Sequence, residues 1–146
     1  MNLKPSQLFL FSTVLSVALA LLLRNYSMDV YLHNAFYVVS GSIVFMAIAS
    51  FVGITALLYL GVTFLFSPVN NKIGFWHFGF TIVGILLLLG HPLIFNSSIR
   101  TYSLHPHSFN WAGMMLLGGG FFLCFGFLIF IYGIFSSMRK PDMASR

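Results

Sequence analysis

The chain has 146 residues, of which 59% are hydrophobic and 6% are charged, with a mean hydropathy of +0.96. A soluble domain carries about a quarter charged residues, so this chain lacks the polar surface of a water-borne fold and reads as an integral membrane protein. Its formal charge of +5 comes from seven basic and two acidic residues scattered singly; without a basic stripe interleaved with aromatics, nucleic acid is excluded as a partner.

A membrane-spanning helix needs about 20 largely apolar residues, and four such runs follow one another. The first extends from Leu8 to Leu23 between Lys4 and Arg24. Ala18-Leu19-Ala20 resembles a signal-peptide cleavage site, but the apolar core continues through Leu23, which predicts a retained helix. The second run, Ala35 to Phe66, contains no charge and is long enough to tilt or project from the bilayer. The third is Ile73 to Phe95 and the fourth Trp111 to Phe135. These runs predict an all-α, single-domain membrane bundle of four transmembrane helices, with short polar connections between antiparallel neighbours.

Basic residues set the expected orientation. Both termini share a side with the middle loop, and that side collects Lys4, Lys72, Arg139, Lys140 and Arg146 against Arg24 and Arg100 opposite. The excess predicts cytoplasmic (or matrix) termini, in a bacterial cytoplasmic membrane or the mitochondrial inner membrane. Within the bilayer, small residues let helices approach closely. Gly119, Gly126 and Gly133 recur every seven residues in the fourth run, and the second run offers Ser40, Gly41, Ser42, Ala47, Ala49, Ser50 and Gly53. Such faces imply a packed bundle, self-association or a contact with another membrane subunit. Cys124 reads as a small packed hydrophobe. The phenylalanines are expected to fill space or meet lipid, and Trp76, Trp111 and Tyr102 are placed to anchor the interfaces.

Three segments share a pattern with a known family. Asn25, Ser27 and Asp29 through Val39 follow N-S-S-L-D-x-x-L-H-D-T-Y-Y-V-V. Lys72-Ile73-Gly74-Phe75-Trp76 follows K-I-H-F-W, and Arg100-Thr101-Tyr102-Ser103-Leu104-His105-Pro106 follows R-R-Y-S-D-Y-P. His91 precedes Arg100 by nine residues, and the tail from Gly126 to Arg139 follows L-x-F-x-Y-N-x-x-x-S-x-R. In order and spacing the chain resembles helices nine to twelve of subunit I of the haem-copper cytochrome c oxidases. The resemblance implies a respiratory membrane, with Asn25, Asp29, His33, Tyr37, Arg100 and Tyr102 as carried-over residues in structural roles.

The departures fall where that family serves its cofactors. The family follows the first motif with A-H-F-H, whose histidines ligate haem iron; Ser40, Gly41, Ser42 and Ile43 stand there instead. Neither Gly41 nor Ile43 offers a lone pair to a metal. The family's magnesium-holding aspartate is Asn34, and the second arginine of its propionate pair is Thr101. The helices that supply the copper ligands and the second axial ligand have no counterpart in the chain. No haem cofactor is therefore expected.

The remaining histidines leave two further readings. His77 and His91, 14 residues apart, would project within about 40° of each other and about 21 Å apart along one helix. A haem between them needs a histidine from a facing helix, and no other run holds a pair, so His77 is expected to bond a nearby carbonyl or water. His33, His91, His105 and His107 all fall towards the outer side, and imidazoles suit copper or zinc; solvated loop histidines are the plainer reading. Asp29 is placed to pair with Arg24 or cap the second helix. No nucleophile with a paired base and no phosphate-cradling loop is present. The sequence thus predicts a haem-less, truncated relative of oxidase subunit I with no catalytic residues, acting as a structural or assembly component of a respiratory complex. The alternatives are an outer-face copper or zinc protein and a fragment contributing to a working terminal oxidase.

Overall fold

A computed structural model describes residues 4–32, 35–95 and 111–139. The described chain runs α1 (Pro5–Leu22), β1 (Ser27–Leu32), β2 (Ala35–Ser40), α2 (Gly41–Leu65), α3 (Asn71–Phe95) and α4 (Trp111–Met138). All four helices are long and apolar enough to cross a membrane, with best windows of mean hydropathy from 1.8 to 2.4. The protein is an integral membrane bundle of four helices. At 25 residues, α2 and α3 reach about 37 Å, longer than the roughly 30 Å hydrocarbon core, so tilt or projection is required.

The start of α2 differs from the sequence expectation. Ala35–Ser40 is not helical; it pairs antiparallel with Ser27–Leu32, from Ser27 opposite Ser40 to Leu32 opposite Ala35. Four of the six residues of Ala35–Ser40 are β-branched or aromatic, which suit a pleated surface better than a helix. Hydropathy alone merged the second strand with the helix that follows, because an apolar run carries no mark of its period.

Gly41 explains how the hairpin is fastened. Its N–H donates to the Tyr26 carbonyl at 2.7 Å, and Ser40 Oγ donates to the Arg24 carbonyl at 3.3 Å. A Cβ at position 41 would lie 3.0 Å from the Leu23 carbonyl oxygen and 3.2 Å from that of Tyr26. A side chain there would require those backbone oxygens to give way, so glycine suits the close start of α2 against the end of α1.

The most extensive helix contacts are α1 with α2 and α3 with α4, and α1 also meets α3. Two apolar clusters result. Phe9, Val52, Ala56, Tyr59, Val62, Val69 and Phe130 form the larger one, while Ala20 and Phe45 form a smaller one towards the hairpin. The glycine stripe of α4 is spent on α3. Gly119 and Gly84 face each other so closely that a Cβ on either would lie 3.0 Å from the other's carbonyl oxygen. Gly126 faces Phe80, Thr81 and His77, and Gly133 faces Val69 and Ile73. The α4 stripe is therefore an internal seam of the chain. Cys124, in contrast, is exposed on α4 rather than packed.

Candidate functional site: a buried histidine–tyrosine pair beneath a polar cleft

The starts of α1 and α3 and the ends of α2 and α4 gather at one end of the bundle, together with Lys4, Lys72 and Arg139. Pro5 packs directly on Gly74 there, seating the first turn of α1 on α3. Asn70 closes the α2–α3 turn: its Oδ1 accepts from the Lys72 N–H at 3.0 Å, and its carbonyl accepts from the Gly74 N–H at 3.0 Å. At the start of α1, the Lys4 N–H donates to Gln7 Oε1 at 3.0 Å, holding the first turn closed.

Below this end lies the principal polar contact of the core. Tyr59 Oη and His77 Nδ1 are 2.9 Å apart, and both residues are buried, at 2% and 3% exposure. The pair links α2 to α3 across the bundle. His77 thus bonds a tyrosine hydroxyl rather than the carbonyl or water expected from its position in the sequence. Phe9 from α1 and Phe130 from α4 cover it, with ring centroids 5.0 and 5.1 Å from the imidazole. Phe9 also stacks on Tyr59 at 5.5 Å and meets Phe78 edge-on at 5.1 Å. All four helices therefore contribute a ring to one node, and Gly126 lies beside the imidazole edge.

The pair satisfies two polar groups that hydrocarbon would otherwise penalise. Phenol and imidazole can each donate or accept, so the bond can be made in either direction. A cleft of about 320 Å³ opens at the basic end above Tyr59, bordered by Lys4, Ser6, Thr63, Asn70 and Asn71. Neither the node nor the cleft was anticipated. The sequence signal was an ionisable residue within an apolar run, and its partner was hidden because Tyr59 is 18 residues away on another helix.

The other candidates are placed less completely. His33, Arg100, Tyr102, His105 and His107 lie outside the described residues, as does the side chain of His91 in the last turns of α3. The proposed copper or zinc ligands therefore all fall outside that part. Among the described residues no group of three or more potential ligands gathers. Asn25 is exposed in the turn after α1. Asp29 and Tyr37 lie in the hairpin, opposite Val38 and Val30, with side chains outside the described part. The two positions where oxidases carry haem ligands diverge: Gly41 is buried against α1, while Ile43 is 64% exposed.

Compared with known proteins, the chain matches no protein-family model, no curated protein and no solved structure. The resemblance to oxidase subunit I rests on its motifs alone.

Proposed function

We propose that this chain is a structural or assembly subunit of a respiratory membrane complex, working by docking another membrane helix and carrying no catalytic centre of its own. The observation that supports this reading is the outward face of α2. Ile43, Ala47, Ser50, Ile54, Leu57 and Gly61 recur at alternating four- and three-residue intervals. They lie on the side of the helix opposite its buried residues Phe45, Val52, Ala56 and Tyr59. Three of the six are small, and among the described residues nothing approaches the open side of Gly61 within 4 Å. Ser50 Oγ donates to the Met46 carbonyl at 2.9 Å, so its hydroxyl is held against its own helix. Small residues at this spacing favour close approach of a second helix in lipid.

The respiratory setting comes from the motif resemblance, and the cytoplasmic or matrix placement of the termini from the distribution of basic residues. The test is to isolate the chain from its own membrane in a mild detergent and compare its native complex with that of an Ala47→Leu, Gly61→Leu double variant. The expected result is loss of the complex with unchanged helicity and amount of the chain. An intact complex in the double variant would remove the support. A Soret band that scales with this chain alone would overturn the non-catalytic reading.

A further inference from the structure

We infer that the cleft at the basic end holds the phosphodiester headgroup of an anionic membrane lipid, recognised by Lys4. Its volume, about 320 Å³, is at the small end for ligand sites and suits a headgroup rather than a whole lipid. Its walls carry one ammonium (Lys4), two hydroxyls (Ser6 and Thr63) and two amides (Asn70 and Asn71), with Tyr59 as an aromatic floor.

Thr63 Oγ1 donates to the Tyr59 carbonyl at 2.8 Å, so Lys4, Ser6 and the two amides are the donors left for an anion. Asn70 Oδ1 is committed to the Lys72 N–H, which leaves its NH₂ as the free function. Among the described residues no carboxylate lines the cleft. Asp29 lies in the hairpin at the opposite end of the bundle. The cleft sits where the four helices end, the level at which lipid phosphates lie, and Pro68 and Val69 add apolar wall beside the polar groups. A cation and several donors above an apolar floor match an anionic ester that continues into hydrocarbon. A soluble anion has no use for the floor.

The experiment is native mass spectrometry of the full chain in detergent, with phosphatidylglycerol or phosphatidylcholine added. Phosphatidylglycerol should be retained preferentially. Lys4→Gln should weaken that retention roughly fivefold, the worth of one lysine near an anionic surface. Thr63→Trp, which fills the cleft without altering charge, should weaken it as well. Lys72→Gln, at the same end but outside the lining, should leave it unchanged. Equal losses in the Lys4 and Lys72 variants would overturn the site in favour of general surface charge. Displacement of the lipid by inorganic phosphate at a comparable concentration would overturn the lipid assignment.

Discussion

Two helix faces in this protein are lined with small residues, and they meet different fates. On α4, Gly119, Gly126 and Gly133 lie against α3 and its preceding turn, with Gly119 and Gly84 almost backbone to backbone. On α2, Ala47 and Ser50 are exposed and Gly61 is open on its free side. The chemistry of the two stripes is alike, because each removes the bulk that would hold another helix away. What differs is whether the chain itself supplies the neighbour. Small residues mark where a close contact can form; topology decides with whom.

The comparison breaks most visibly at the α3–α4 crossing. Gly119→Leu places a side chain where the Gly84 carbonyl oxygen already stands, 3.0 Å from the new Cβ. Overpacking of this kind should cost about 3 kcal/mol, read as a shifted midpoint in reversible unfolding from mixed micelles. Gly84→Leu should match it, since the contact is reciprocal. If either variant unfolds like the parent chain, the seam is not as tight as described.

A smaller effect is expected at the aromatic node. Tyr59→Phe keeps the ring stacked on Phe9 but removes the hydroxyl from His77, and should destabilise by about 1 kcal/mol. A cycle with His77→Phe should return a coupling of similar size; zero coupling would show that the 2.9 Å bond contributes nothing to stability.

Along the same α4 helix, a Cβ at Gly120 would meet nothing within 4 Å among the described residues. Gly120→Ala should therefore stabilise by up to about 1 kcal/mol through helix propensity alone, the opposite sign to its neighbour Gly119. Ser137 offers a comparable gain: its hydroxyl is buried with no hydrogen-bond partner among the described residues, so Ser137→Ala should be neutral or stabilising by about 1 kcal/mol. A clear loss of stability would reveal a partner for that hydroxyl.

On the outer face of α2 no loss of fold is expected. Gly61→Leu should leave the isolated chain as stable as the parent or more so, by the same helix-propensity gain of up to about 1 kcal/mol, while weakening the native complex. Loss of fold and complex together would place Gly61 in the bundle rather than at a docking face.

Much of the architecture was legible in the residues. Four apolar runs gave four helices, because a chain with so few charges must hide its backbone polar groups in helices once it enters lipid. The two ends of α3 were close to those expected, since Lys72 and the polar turn before it end the apolar pattern sharply. The hairpin was hidden because Ala35 to Ser40 is as apolar as the helix it precedes. Gly41 first stands out as a missing ligand; its place against the Leu23 and Tyr26 carbonyls supplies a packing reason for glycine at that position.

By itself, the sequence determined that the protein enters a membrane, how many times it crosses, and which residues are small enough to be pressed together. Those properties follow from composition and local periodicity. The tertiary structure decided that Tyr59 is the partner of His77, that the α4 glycines serve α3, and that Lys4 borders a cleft. Each depends on residues far apart in the chain. In an apolar sequence every helix face is equally greasy, so only shape complementarity between helices can choose which faces meet.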